Sequence, residues 1–308
     1  MSAVPEVRPP DVPEPAASIS CVKHHYEDGS KVELCGLDFV VGRGRRVALL
    51  GPNGSGKTTL LFHLVGILRP SEGAVSVMGV DPAHDFAKVR RRIGVVLQNV
   101  EEQLLAPTVW DDVSFSPRQY GLPKEEVRER TERALELLGI GHLRDKVPHY
   151  LSGGEKRKVA IAGALVLDPE LLILDEPFEG LDPRARRQVL DLLNRQVAER
   201  GMTMIISTHD VNFVPEMADE VYVLAHGGHI VLQGSPREVF VHADLLRESN
   251  IEPPVLSQLF ENLARRTGRE LPVPATVTEA ADELQRLAEE DGGLLGRRDQ
   301  GASRDAVS

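Results

Sequence analysis

The sequence predicts an α/β fold with a largely parallel central sheet, and three stretches carry that prediction. "ELLILDEP" (170–177) and "MTMIIST" (202–208) are continuous apolar runs, the composition of strands buried on both faces. "RRVALL" (45–50) runs through a Gly-rich turn directly into a helical pattern. Strands that alternate with helices in this way build a doubly wound core.

The elements follow in order. Residues 1–17 hold five prolines and little that could pack, so they read as a disordered tail. After "RRVALL", Leu60, Leu61, Leu64, Val65 and Leu68 fall on one helical face, which Pro70 is expected to end. "AVSVMG" (74–79) is a short strand with a turn and "RRIGVVLQ" (91–98) another strand. Thr108, with Asp111 three residues on, is placed to cap a short helix that turns Val109, Trp110 and Val113 inward. "LPKEEVRERTERALELLG" (122–139) is a marked helix: Pro123 suits its first turn, and Val127, Thr131, Ala134, Leu135 and Leu138 share a face. Gly139 is positioned to stop it. From residue 288 the chain turns polar and Gly-rich, a second frayed tail.

Bulk composition narrows the function. A net charge of −11 disfavours nonspecific nucleic-acid binding, and no apolar run approaches the roughly 18 residues of a membrane span. The proline-rich N-terminus lacks the apolar core of a secretory signal. Of the two cysteines, Cys21 and Cys35, a disulfide is possible, but two buried thiols in a reducing compartment is the preferred reading. His24 and His25, neighbours on an extended segment, point to opposite faces and read as surface or packing residues, with no structural metal expected.

Chemistry concentrates in four places. "GPNGSGKTT", Gly51 to Thr59, matches the phosphate-binding loop pattern after a strand and before a helix. Gly51, Gly54 and Gly56 allow the backbone to wrap an anion. Lys57 reaches the terminal phosphates and Thr58 offers a hydroxyl to Mg²⁺, while Pro52, Asn53, Ser55 and Thr59 complete the nucleotide contacts. "LLILDEP" ends a strand on Asp175, a second Mg²⁺ group, followed by Glu176, which can orient or deprotonate an attacking water. "LSGGEKRKVAIAGAL", from Leu151, sets Ser152, Gly153, Gly154 and Glu155 at a helix start and forms a second anion site. Finally, His209 stands in "STHD" after a buried strand.

The "LSGGEKRKVAIAGAL" segment resembles the signature of the ATP-binding cassette (ABC) family. The resemblance covers about residues 19–244. It implies an ABC-type P-loop core with an antiparallel β subdomain and an inserted α-helical subdomain. It also implies a domain over 18–250 with the helical insert at about 99–160, a C-terminal segment over 251–287, and tails at 1–17 and 288–308. Within it, Tyr26 matches the aromatic that stacks on adenine. Gln98 matches the glutamine that senses Mg²⁺ and γ-phosphate, and Asp182 in "GLD" matches the loop that communicates across a dimer. His209 matches the switch histidine, and the signature serves the γ-phosphate held by the opposite subunit. Position 178 is Phe where many relatives carry a small hydroxyl residue. The implied cofactors are ATP and Mg²⁺.

One cassette without heptad insertions favours transport over repair or translation machines. "QNVEEQLLAPTVWDDVSFSP" resembles ATPase subunits of energy-coupling-factor (ECF) transporters, the cobalt/nickel branch in particular. "NIEPPVLSQLFENL" resembles that branch's C-terminal element. The resemblance implies a second ABC ATPase, identical or paralogous, as partner. It also implies a transmembrane coupling subunit, a substrate-capture membrane subunit and a peripheral position on the cytoplasmic face of the membrane. Glu101, Glu102, Gln103 and Leu104 would meet the coupling subunit. Trp110 stands where relatives tend to carry an acid. Vitamin import and other ABC transport remain open alternatives, with a soluble non-transport ATPase ranked last.

Overall fold

The computed structural model describes residues 14–26 and 31–290, so of the tails expected over 1–17 and 288–308 the parts at 1–13 and 291–308 lie outside the described residues, while 288–290 are helical and correct the start of the second tail. The first expected tail gives way early: Ala16 and Ala17 are buried, and Ala17 already opens a strand.

Ten strands form two sheets among the described residues. β1 (Ala17–His25), β2 (Lys31–Leu34), β3 (Phe39–Val41) and β5 (Glu72–Val77) make an antiparallel sheet in which β1 pairs with the other three. β4 (Arg46–Leu50), β6 (Ile93–Val96), β7 (Leu171–Asp175), β8 (Thr203–Thr208), β9 (Glu220–Leu224) and β10 (Ile230–Gly234) make the second, ordered β10-β9-β4-β8-β7-β6. Its ladders are parallel except that of β10 with β9. Every residue of β7 and β8 is buried, the outcome expected of unalternating apolar runs.

Alternate residues of this sheet enter two separate cores. Leu50, Leu172, Leu174 and Ile206 face one core, while Leu49, Leu171, Ile173 and Ile205 face the other. The second core is shared with the antiparallel sheet through Ile19, Phe39 and Val77. The β2 side of that sheet therefore lies against the turn that leaves β4.

The helices fill both sides. α1 (Lys57–Leu64) ends well before Pro70, because Ile67 and Leu68 both donate to the Phe62 carbonyl and close the helix. α2 (Pro82–Asp85) follows β5. α3 (Val109–Val113) is capped by Thr108, whose Oγ1 accepts from the Asp111 N–H at 3.1 Å. Val109 and Val113 are buried, whereas Trp110 is half-buried with Arg144 stacked 4.5 Å over its ring. Trp110 thus packs on the core edge and is not a fully inward residue.

α4 (Phe115–Gln119) and α5 (Lys124–Leu137) complete the insert. The face expected for α5 is buried, and Gly139 turns left-handed at φ 66° beyond its end. α6 (Gly153–Leu165) joins the insert to β6, and α7 (Pro183–Arg200) follows β7. α8 (Val214–Met217), α9 (Pro236–Phe240) and α10 (Ala243–Glu248) precede two longer amphipathic helices, α11 (Val255–Thr267) and α12 (Val277–Glu290). No described helix is long and apolar enough to cross a membrane.

One expectation is corrected. Cys21 and Cys35 are joined in a disulfide, not kept as two buried thiols. The antiparallel register that sets Val22 against Leu34 brings the next positions, Cys21 and Cys35, opposite each other with Cα atoms 4.2 Å apart. Cys21 is exposed at that point.

Candidate active site

The loop between β4 and α1 wraps a cavity of about 600 Å³. Gly51 has no room for a side chain: a Cβ there would lie 2.8 Å from the Leu224 carbonyl oxygen and closer still to Ser55. Gly56 adopts φ 93° as N-cap of α1 and contributes no capping side chain, so the first-turn N–H groups have no side-chain partner. Ser55 Oγ is buried and has no hydrogen-bond partner. Val32 of β2 presses on Gly56, where a Cβ would come within 2.8 Å of its Cγ1. The antiparallel sheet thus backs the loop.

Lys57 is buried and donates to the Gly51 and Pro52 carbonyls at 2.7 and 3.1 Å. Burial pulls its ammonium below the usual lysine range, while Glu176 and Asp175 oppose that shift. Thr58 Oγ1 donates to Asp175 Oδ2 at 2.8 Å, and Ser207 Oγ donates to the other Asp175 oxygen. Glu176, one residue on, takes φ 47°, a left-handed conformation costly for a side-chain-bearing residue. Its N–H donates to Ser207 Oγ at 3.1 Å, and its Oε1 lies 2.9 Å from His209 Nδ1. Burial raises the Glu176 carboxyl above its ordinary value, with the His209 contact working against it.

Most of the expected residues meet here. Tyr26, Asn53, Gly54, Ser55, Gly56, Lys57, Thr58, Thr59, Gln98, Asp175 and Glu176 all line the cavity. Gly51, Pro52 and His209 line an adjoining cleft. Tyr26 Oη bonds Thr59 Oγ1 at 2.7 Å, tying the end of β1 to α1. Ser207 was not among the expected residues; its signal, a hydroxyl two residues before the histidine in "STHD", is legible only once β8 lies beside β7.

The remaining residues lie apart from the cavity lining. Ser152 caps α6 in a reciprocal box with Glu155, whose carboxylate accepts from the Ser152 N–H at 2.8 Å and from its hydroxyl at 2.7 Å. Those bonds hold the Glu155 carboxyl below its usual range. Ser152 and Gly153 are exposed, and nothing lies within 4 Å of a Cβ built on Gly153. Asp182 caps α7 by accepting from the Ala185 N–H at 2.8 Å. In the acidic turn, Glu101 pairs with Lys156 and Glu102 accepts from Asn99. Gln103 points back into the fold, bonding Leu97 N–H and the Val95 carbonyl, and Leu104 packs partly on the core. Leu105, by contrast, is 83% exposed.

A phosphate loop at the carboxyl end of one parallel strand, β4, facing buried acids at the carboxyl end of another, β7, with β8 between them, defines a P-loop nucleoside triphosphatase. A family model described as ABC transporter matches residues 34–179. The energy-coupling factor transporter ATP-binding protein EcfA of Methanocaldococcus jannaschii is 46% identical over 244 residues, covering 78% of this chain and 86% of the relative. A putative ABC transporter ATP-binding protein of Methanopyrus kandleri is 46% identical over 271 residues, covering 88% and 98%.

Among solved structures, cbiO1 of Clostridium perfringens, described as part of the ABC transporter complex cbiONQ, superimposes with a TM-score of 0.67 at 40% identity. It covers 80% of this chain and 99% of its own. A dimeric ATP-binding cassette bound to ADP and Pi superimposes with a TM-score of 0.65 at 27% identity, covering 72% and 99%. This chain belongs to the ABC transporter ATP-binding family and is an ATP hydrolase of that family.

Proposed function

We propose that the chain is the ATP-hydrolysing subunit of an ECF-type importer for a micronutrient, with cobalt or nickel ions as the cargo. The relatives named as energy-coupling factor ATPases support the type, and the resemblance of "QNVEEQLLAPTVWDDVSFSP" and "NIEPPVLSQLFENL" to the cobalt/nickel branch supports the cargo. The single observation that carries the chemistry is the buried Glu176 carboxylate, held by His209 beside Asp175 and Lys57.

ATP enters the cavity under Lys57 and the α1 N-terminus, with Tyr26 against the base. Thr58, Asp175 and Gln98 supply only oxygen donors, the set a hard cation requires, and Thr58 and Asp175 already touch. These residues would hold Mg²⁺, which when bound neutralises charge on the phosphates. Glu176, raised in basicity by burial, accepts a proton from the attacking water, and His209 keeps its carboxylate oriented.

Ser152, Gly153 and Gly154 serve the γ-phosphate bound by a partner ATPase, and Asp182 lies at the same dimer surface. The acidic pair Glu101–Glu102 with exposed Leu105 forms the docking face for a membrane coupling subunit, placing the chain peripherally on the cytoplasmic side. Exposed Leu105, a few residues after the exposed Glu101 and Glu102, suits a basic amphipathic helix.

Glu176→Gln with ATP and Mg²⁺ is expected to accumulate a dimer on size-exclusion chromatography; hydrolysis at the wild-type rate would remove Glu176 from this role. Glu101→Lys with Glu102→Lys is expected to release the subunit from membranes while nucleotide binding persists. Uptake of ⁵⁷Co²⁺ against labelled vitamins by the purified complex decides the cargo.

A further inference from the structure

Phe178 stands two residues after Glu176, and its ring is buried against Phe213, centroids 5.7 Å apart and nearly perpendicular. Between the loops that carry these rings reaches Arg186, from the first turns of α7. Its guanidinium carbon lies 3.6 Å from the Phe213 centroid and 5.7 Å from that of Phe178. Its Nη2 donates to Asp210 Oδ2 at 2.6 Å, while its Nε is buried without a partner.

Asp210 directly follows His209 and is held on the other side by the Thr208 hydroxyl, which accepts from its N–H at 3.1 Å. Phe213 closes the same turn, donating its N–H to the Asp210 carbonyl at 3.2 Å. One cation therefore touches the loop after Glu176, the loop after His209 and the helix that Asp182 caps.

We infer that Arg186 is a positioning residue: stacked on Phe213 and paired with Asp210, it sets the His209 loop so that the imidazole meets Glu176. The physical grounds are directional. A planar guanidinium can stack and donate at once, which an ammonium cannot do. Leaving Nε unpaired in a buried place costs free energy, so the stacked and paired contacts must offset that cost. Phe178 fits the same account, since its edge meets the ring that carries the cation. Arg187 adds a second tie from α7 through Glu216 of α8, which follows this turn, with its own guanidinium 5.8 Å from Phe213.

This inference rests on the reading of Glu176 and His209 as the hydrolytic pair, and the test separates the two. Arg186→Ala in the full chain is expected to lower kcat about 10- to 100-fold, the cost of a small misplacement, with the Kd for a fluorescent ATP analogue unchanged within about twofold. His209→Ala alone is also expected to lower kcat. Combining Arg186→Ala with His209→Ala is expected to add nothing beyond His209→Ala, because the arginine acts through the histidine.

Multiplicative losses in the double variant, or nucleotide affinity falling in step with kcat, would overturn the positioning role. Wild-type kcat in Arg186→Ala alongside an impaired His209→Ala would sink this inference only. Wild-type kcat in His209→Ala would sink the hydrolytic reading itself. Should Arg186→Ala fail to fold, Arg186→Lys keeps the charge and loses the stacking, and is expected to show the same split between kcat and Kd at smaller amplitude.

Discussion

The phosphate loop and the signature segment are both glycine-led helix starts, yet the fold treats them oppositely. Around α1 the chain closes in: Lys57, Asp175 and Glu176 are buried, β2 presses on Gly56, and Ser207 of the neighbouring strand binds the Asp175 carboxylate and the Glu176 N–H. The start of α6 stays open: Ser152 and Gly153 face solvent, and among the described residues the Ser152 side chain bonds its own Glu155. Equivalent backbone chemistry has been completed within one chain at the first place and left open at the second. An exposed helix start on a chain whose phosphate loop is enclosed is what the proposed pairing of two ATPases needs, if each is to finish the other's pocket.

The sharpest way to break that comparison is to disable the closed site. Glu176→Gln is expected to reduce steady-state hydrolysis about 10²- to 10⁴-fold, measured by phosphate release, with ATP binding retained. Next comes complementation. Lys57→Ala and Ser152→Arg subunits, each inactive alone, are expected to recover hydrolysis on mixing, since one composite pocket in the mixed dimer is intact. No recovery at any ratio would mean the signature does not serve a partner's phosphate.

Two smaller effects probe what stiffens the closed side. The Cys21–Cys35 link, between positions 14 apart in sequence, ties β1 to the residue after β2 in the sheet that backs the phosphate loop. A loop of that size is expected to stabilise by about 3 kcal/mol, so a thiol reductant should lower the melting temperature, and Cys21→Ser should abolish the response.

His63, on α1, is fully buried with Nε2 unpartnered, and burial lowers its imidazole to about 4. The unfolded chain, with an ordinary value near 6.5, binds the proton more readily. Stability from this group is therefore present above pH 6.5 and declines as pH falls towards 4, by about 3 kcal/mol at most. His63→Leu should flatten that part of a denaturation series. The smallest effect belongs to the open site, where Ser152→Ala is expected to cost about 1 kcal/mol of stability through the lost cap.

Much of this was legible from residue order alone, and the reason is local. Phosphate loops, helix caps and buried parallel strands are written in contiguous residues, so "GPNGSGKTT", Thr108 with Asp111, and "ELLILDEP" each announce their own conformation. The α5 face was readable for the same reason, its five inward residues recurring at helical spacing. What misled was also local: Pro70 suggested the end of α1, but Phe62 closes that helix earlier through a carbonyl shared by two N–H groups.

Tertiary structure alone decided the rest, because it depends on which strands become neighbours. Ser207 joins Asp175 and Glu176 only because β8 pairs with β7, and Cys21 meets Cys35 only through the β1–β2 register. Gln103, read from sequence as part of an outward acidic turn, spends its amide on β6. Trp110 rests half-covered under Arg144, which comes from a residue 34 positions later. Sequence by itself determined the nucleotide chemistry and the element types, since hydrogen bonds within a turn or helix involve neighbours in the chain. The burial of that chemistry on one side and its exposure on the other were decided by packing, which joins residues the chain order keeps apart.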